Sequence, residues 1–212
     1  REVTQLGKEL EKIGSRVMGS ENHAKVGIIF DWENYWALEY TSGPNRDLRY
    51  VDQIEQMYNY FYNKNIAVDM IPIDADFSKY DLVAAPVLYM VKDGVAESLE
   101  AYVQAGGTLI TTYMSGIVGQ SDNVHLGGYP GPLRKMAGVW VEEIDALAPE
   151  QRNKIRFADG TEEECRLVCD LMHLEGAEEI AQYESDFYAG MTAVAKNQFG
   201  RSEERRVGKE CR

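Results

Sequence analysis

Cysteine, long apolar runs and positive charge are all scarce in this sequence of 212 residues. Three cysteines are too few to staple a small secreted scaffold, and their spacing fits no zinc finger or ribbon. No stretch approaches the roughly 18 apolar residues of a membrane helix, and the N-terminus lacks the pattern of a signal peptide. With 35 acidic and 22 basic residues, the formal charge of −13 disfavours a nucleic-acid binder. We therefore expect an acidic globular protein of the cytoplasm, with neither a membrane nor a nucleic acid as partner.

The two ends of the sequence suggest a fragment. The chain begins with Arg1 and not with methionine, and a helical stripe from Val3 to Val17 follows at once. The last twelve residues, 201–212, resemble the translation of a common sequencing adapter. We therefore expect residues 201–212 to be an artefact tail and the preceding domain to be incomplete at its C-terminus, near Gly200.

Short apolar runs alternate with helical patterns through the first half of the chain, which predicts an α/β fold with a mainly parallel sheet. The predicted strands are 26–30, 67–73, 81–86 and 108–113, and the predicted helices are 48–64 and 91–104. The second half predicts further strands at 139–142, 154–157 and 165–172 and a short helix at 177–181, whereas residues 183–197 mix strand and turn signals. Asp159-Gly160 predicts a hairpin turn, and the acidic run 162–164 predicts a solvated edge strand.

The densest group of chemically versatile side chains directly follows the first predicted strand. It comprises Asp31, Trp32, Glu33, Asn34, Tyr35 and Trp36. Two carboxylates and two indoles favour a sugar site, because aromatic faces stack on pyranose rings and carboxylates bind hydroxyl groups. The same residues fit a helix N-terminus, with Asp31 as the cap, Glu33 near the positive end of the dipole and both tryptophans packed. The residues alone leave both interpretations open.

A glycine-rich loop follows the fourth predicted strand and is the second candidate site, since ligands of open α/β sheets bind at the carboxyl edge. Its candidate residues are Ser115, Gly116, Gly127, Gly128 and Pro130. The loop fits either a small-ligand site or, with Ser115 as nucleophile and a histidine nearby, an amidotransferase-like hydrolase.

Two further chemistries find less support. A phosphoryl-accepting receiver domain needs an aspartate after the third strand, where this chain has Ala84-Ala85-Pro86. The histidines are isolated, and Cys165 and Cys169, on one face of a predicted strand, are more typical of a core than of a metal site. We predict no metal and no cofactor.

Three stretches together resemble the middle, trimerisation domain of glycoside hydrolase family 42 β-galactosidases. They are Leu6–Leu10, then 26–38 with its string FDWEN and the following WAL, then 115–118 continuing through LGGYPGPLR at 126–134 to 141–143. The resemblance covers essentially residues 2–200. It implies a flavodoxin-like, class I glutamine amidotransferase-like three-layer sandwich in which Tyr113 and Met114 stand where a nucleophile would be needed.

The same resemblance implies a larger enzyme that hydrolyses terminal β-galactosides with retention. Its two catalytic glutamates would lie in a (β/α)8 barrel outside this sequence, so no catalytic residue is assigned here. Residues 1–20 would end the last barrel helix, and residues 21–200 would form a noncatalytic domain that assembles a homotrimer. Asp31–Trp36 would contact a neighbouring subunit or close its substrate pocket. The alternative is a free-standing α/β domain that binds a small ligand or resembles an amidotransferase.

Overall fold

A computed structural model describes residues 2–41 and 43–200 of the chain. The helices are α1 (Glu2–Val17), α2 (Trp32–Tyr40), α3 (Tyr50–Tyr62), α4 (Val95–Gln104) and α5 (Arg134–Ala137). The first four strands are β1 (Val26–Ile29), β2 (Val68–Ile71), β3 (Leu82–Ala85) and β4 (Thr108–Thr111). The remaining strands are β5 (Val139–Ala146), β6 (Asn153–Phe157), β7 (Glu162–Cys165), β8 (Val168–Leu174), β9 (Glu178–Tyr183) and β10 (Thr192–Lys196).

The first sheet is parallel, with the strand order β2-β1-β3-β4. This order agrees with the first four strands of a flavodoxin-like sheet. Both faces of the sheet are covered, because neighbouring residues of β1 enter different cores: Ile29 packs with Phe77 and Leu99, and Ile28 with Tyr50. The α/β class predicted from the alternation of strands and helices is confirmed.

The second half of the chain forms a separate antiparallel sheet with the order β5-β8-β10-β9-β6-β7. The predicted turn at Asp159-Gly160 joins β6 to β7, and β7, which carries the acidic run 162–164, is an edge strand as expected. A third apolar cluster, which includes Cys169, Tyr183 and Tyr188, lies in this half. The departure of these strands from the parallel sheet was not predicted from the sequence.

Two local predictions in this half are wrong. Residues 177–181 were predicted as a helix but belong largely to β9, where pairing with β6 and β10 outweighs the weak helical preference of this short segment. Residues 165–172 were predicted as one strand, but the chain turns between β7 and β8 at Leu167, whose φ is +68°. Tertiary pairing decides both segments.

Helix α1 has the predicted apolar stripe, but none of its described residues is buried. The stripe consists of Val3, Leu6, Leu10, Ile13 and Val17, all exposed. No helix within residues 2–41 and 43–200 is long and apolar enough to cross a membrane. The same residues contain no group of three or more histidine, cysteine, aspartate or glutamate side chains that could hold a metal ion.

Candidate functional site

Asp31 directly follows β1 and caps the N-terminus of α2. Its backbone is extended, with φ −122° and ψ 124°, and its Oδ2 accepts a hydrogen bond from the Asn34 backbone N–H at 3.0 Å. An aspartate in this position satisfies one of the free N–H groups of the first helical turn. The helix-cap interpretation therefore describes Asp31.

Asn34 is the fully buried residue of α2 and anchors the helix to the segment that follows β3. Its Nδ2 donates to the Val87 carbonyl at 3.0 Å, and its Oδ1 accepts from the Met90 backbone N–H at 2.8 Å. Both polar ends of the side chain are thus paired, as burial of an amide requires. We infer that Asn34 sets the position of α2 on the sheet edge.

Lys92 supplies a second anchor that the sequence analysis missed. Its Nζ donates to Asp31 Oδ1 at 2.8 Å and also contacts the Glu33 carboxylate. Only 17% of the Lys92 side chain is exposed. Burial lowers its pKa, but the hydrogen bonds to Asp31 and Glu33 outweigh that effect, so the pKa of Lys92 is raised and the side chain is charged at neutral pH. The available signal was its place after β3, at the same carboxyl edge as Asp31.

Three of the four aromatic residues of α2 point the other way, whereas Tyr35 is half-buried and packs against the core beside Tyr50. Trp32 is 59% exposed, Trp36 51% and Tyr40 91%, and their spacing of four places them on one side of the helix. We call these three residues the aromatic ridge. The ring centroids of Trp32 and Trp36 lie 6.1 Å apart, and the Trp32 ring meets Phe30 edge-on at 4.9 Å. Contrary to the expectation for a simple cap, the tryptophans are only partly packed. Tyr40 was missed, although it continues the same spacing.

The glycine-rich loop, residues 115–131, is packed closely against itself and against β5. Gly116 has φ +67°, and a Cβ added there would lie 2.0 Å from the Pro130 carbonyl oxygen. A Cβ at Gly128 would lie 2.3 Å from Trp140 Nε1. Ser115 is buried, and its Oγ donates to the Thr112 carbonyl at 2.7 Å. These glycines allow close packing and leave no cradle for a ligand at these positions.

The two candidate segments lie on either side of the segment 87–91. Asn34 bonds to its residues Val87 and Met90 from one side. From the other side, the Gly116 N–H donates to the Leu88 carbonyl at 2.8 Å, and Met90 forms a bridge with Val118. The parallel sheet therefore brings both segments to one edge.

Asp170, on β8, is a third residue that was not predicted from the sequence. Its Oδ2 accepts from the Met114 N–H at 3.0 Å, which fixes the turn that leads into the glycine-rich loop. Met114 has φ +54°, a conformation that costs free energy in a residue other than glycine. Burial raises the pKa of Asp170 to about 6, although the bond from Met114 opposes the shift. No local sequence signal marked this aspartate, because its partner lies 56 residues away.

Comparison with known proteins gives one consistent family. The family model of the β-galactosidase trimerisation domain matches residues 24–210. The chain is 50% identical over 201 residues to β-galactosidase LacZ of Lactobacillus acidophilus, covering 95% of this chain and 30% of that protein. It is also 50% identical over 208 residues to β-galactosidase BgaB of a Geobacillus strain, with coverage of 98% and 31%.

Solved structures agree with the sequence relatives. The crystal structure of β-galactosidase from Bacillus circulans sp. alkalophilus superposes with a TM-score of 0.88 and 46% identity, over 92% of this chain and 30% of that one. The chain thus spans about 30% of the length of the relatives it matches. The predicted resemblance is confirmed, and the chain belongs to the β-galactosidase trimerisation domain family.

Proposed function

We propose that this chain is the noncatalytic self-association domain of a longer β-galactosidase, and that it assembles as a homotrimer. The relatives that it matches are named β-galactosidases and are about three times as long, which supports a parent enzyme of that activity. The parent would hydrolyse terminal β-galactosides with retention, through two glutamates of a (β/α)8 barrel outside this chain. Residues 1–20 would end that barrel, residues 21–200 would form the assembly domain, and a cytoplasmic location would suit the enzyme. The predicted artefact tail, 201–212, lies outside the described residues.

The observation that carries the proposal is the aromatic ridge. Protein interfaces are enriched in tryptophan and tyrosine, and these residues supply much of the binding free energy. Here Asn34 and Lys92 anchor the first turn of the helix to the sheet edge, so the backbone that carries the three rings is already ordered before association. We assign Asp31–Trp36, extended to Tyr40, to contact with a neighbouring subunit, where the same face would close that subunit's substrate pocket.

The exposed stripe of α1 supports the assignment of residues 1–20 to the end of a preceding barrel. Apolar side chains at this spacing normally cover a core, yet the stripe has no buried member. A preceding barrel would cover it in the parent enzyme. No comparable observation favours the alternative of a free-standing ligand-binding or amidotransferase-like domain, because Ser115 is buried and donates to a backbone carbonyl.

The first test is to sequence the locus outward from both ends of this reading frame and to express the complete protein. An upstream barrel with two glutamates supports the proposal, whereas its absence contradicts it. In the complete protein, Trp32→Ala with Trp36→Ala should convert trimers to smaller species in light scattering at micromolar concentration. The matched control is Tyr58→Ala with Tyr62→Ala, a stacked and exposed pair on α3, which should leave the mass unchanged.

These experiments test the assembly role, the substrate-pocket role and the noncatalytic assignment separately. An unchanged mass in the tryptophan variant would refute the assembly role of the ridge. A raised KM with an intact trimer would assign the ridge to the substrate pocket alone. The 212-residue chain by itself should not hydrolyse a chromogenic β-galactoside, and detectable hydrolysis by the pure chain would refute the noncatalytic assignment.

A further inference from the structure

Trp36 and Glu33 are neighbours on the exposed side of α2. Residues three apart lie side by side on a helix surface, and long helical side chains lean over the preceding turn. The Trp36 ring accordingly lies 6.1 Å from the Trp32 ring, measured between centroids, at the turn that also carries Glu33. Trp36 is 51% exposed and the Glu33 side chain 56%. A planar apolar surface and a carboxylate therefore face solvent side by side.

The Glu33 carboxylate is held in place by Lys92. The Lys92 Nζ contacts Oε2 of Glu33 and donates to Oδ1 of Asp31 at 2.8 Å. The Asp31 and Lys92 side chains are only 10% and 17% exposed, so Lys92 reaches Glu33 from a largely buried position. A carboxylate has about four acceptor positions, and the contact with Lys92 occupies only part of them. Glu33 therefore offers an oriented acceptor to hydroxyl or N–H groups of a ligand.

The two indole rings are restricted by their aromatic neighbours. Trp32 meets the rings of Phe30 and Tyr35 almost at right angles, at centroid distances of 4.9 and 6.0 Å. Trp36 lies against Trp32 with the two planes inclined by 36°. These contacts limit the freedom of the rings and still leave more than half of each exposed. Less entropy is then lost when a ligand binds.

An exposed indole beside an oriented carboxylate suits the pyranose ring of a sugar. One face of the sugar presents C–H groups, which pack on the electron-rich face of an aromatic ring, and its hydroxyl groups donate to carboxylate oxygens. The axial hydroxyl group of galactose leaves a continuous patch of C–H groups on the opposite face. An anionic ligand is disfavoured, because Asp31 and Glu33 outnumber Lys92 at this position.

We propose that Trp36 and Glu33 bind the pyranose ring of a β-galactoside, with Trp36 stacked on its C–H face and Glu33 accepting from its hydroxyl groups. Lys92 is the positioning residue that orients Glu33. The choice of sugar rests on the proposed function, in which this face closes a substrate pocket. Trp32 and Tyr40 remain available for contact with the neighbouring subunit.

All of these residues belong to the present chain, so the test uses the 212-residue protein without a barrel. Saturation-transfer NMR and a titration followed by tryptophan fluorescence measure binding of methyl β-D-galactopyranoside. We expect saturation of the C–H protons on the face opposite the axial hydroxyl group. Methyl β-D-glucopyranoside, whose corresponding hydroxyl group is equatorial, should bind more weakly because its C–H patch is interrupted.

Four variants test the residues that are named in the proposal. Trp36→Ala should abolish saturation transfer, and Glu33→Gln should raise Kd about tenfold, because a hydrogen bond to a charged group is replaced by a neutral one. Lys92→Met should raise Kd similarly, whereas Lys92→Arg, which can still pair with Glu33, should restore binding. Tyr58→Ala with Tyr62→Ala, the exposed stacked pair on α3, is the matched control and should bind as the parent chain does. Far-ultraviolet circular dichroism checks that each variant is folded.

Absence of saturation transfer with the parent chain would overturn the proposal, and so would unchanged binding by folded Trp36→Ala. Equal binding by Lys92→Met and Lys92→Arg would refute the positioning role of Lys92. Equal affinity for the two sugars would refute the stacking face assigned to galactose. A complete protein that forms trimers, with a chain that does not bind the galactoside, would refute this inference and leave the proposed assembly standing. Binding by the chain with a monomeric complete protein would do the reverse.

Discussion

The two candidate segments share one sheet edge but use it in opposite ways. On one side of residues 87–91, α2 and its cap Asp31 turn the polar side chains of Asp31 and Asn34 inward, and the helix exposes the aromatic ridge. On the other side, the loop 115–131 turns Gly116 and Gly128 against the backbone of Pro130 and the ring of Trp140. The carboxyl edge of a parallel sheet therefore does not by itself make a site. What matters is whether the anchoring groups leave other side chains free to contact a partner.

The largest loss of stability is expected from a substitution that tests how tightly the loop 115–131 is packed. Gly116→Ala would place a Cβ 2.0 Å from the Pro130 carbonyl oxygen, at a φ of +67° that also disfavours alanine. Because the obstacle is backbone, we expect a loss of about 4 kcal/mol or more in the free energy of unfolding. Urea unfolding followed by circular dichroism measures it.

Gly127→Ala is the matched control in the same loop. Gly127 also has a positive φ, at +98°, but a Cβ there would meet nothing within 4 Å. Only the cost of the backbone conformation remains, roughly 1 kcal/mol. Similar losses for the two variants would show that Pro130 moves aside easily and that the loop is not closely packed.

The second prediction concerns Asp170, which holds the turn at the entrance of the loop. Its folded-state pKa of about 6 lies above the ordinary value of 3.8, so folding favours the protonated carboxyl. The stabilisation is complete below the ordinary pKa and is lost as the pH rises through the folded-state value. Two pKa units correspond to about 3 kcal/mol, so the contribution of Asp170 to the free energy of unfolding should fall by up to that amount between pH 4 and pH 7.

Asp170→Asn removes this titration while keeping an oxygen that can accept from the Met114 N–H. The variant should therefore gain stability relative to the parent chain as the pH rises over the same interval. Asp76→Asn gives the opposite sign, because the hydrogen bond from the Ser78 N–H lowers the pKa of Asp76. Parallel pH profiles for Asp170→Asn and the parent chain would contradict the proposed role of burial at Asp170.

Local signals in the sequence were sufficient to predict the parallel sheet and the cap of α2. The apolar runs predicted the four parallel strands, and an aspartate directly after a strand predicted the cap that Asp31 forms. Such signals act within a few residues of the chain. The assignment of Asp31–Trp36 to an interface stays a prediction, because exposure alone does not identify what covers a surface.

The features that were not predicted depend on contacts between residues far apart in sequence. Lys92 lies 61 residues from Asp31, and Asp170 lies 56 residues from Met114, so no spacing pattern connects either pair. The antiparallel sheet was missed for the same reason, since β9 is defined by its neighbours β6 and β10 and not by its own sequence. Glycine composition suggested a ligand loop, but only the position of Pro130 shows that Gly116 permits close packing.

The smallest of these changes in stability is expected at Lys92, which anchors α2 through Asp31 and Glu33. Lys92→Met keeps the length of the side chain but removes both ion pairs, leaving a largely buried Asp31 carboxylate without its cation. We expect a loss of about 2 kcal/mol, between the values for buried and for exposed pairs, because Asp31 still accepts from Asn34. Lys154→Met, which breaks an exposed pair with Glu162, should change the free energy of unfolding much less than Lys92→Met does, because solvent screens the pair. Near-ultraviolet circular dichroism should change for Lys92→Met alone, since only that variant loosens the helix that carries Trp32 and Trp36. If added salt abolishes the stability difference between the two variants, Lys92 is no better shielded than a surface lysine, and the aromatic ridge lacks the fixed base on which its proposed role depends.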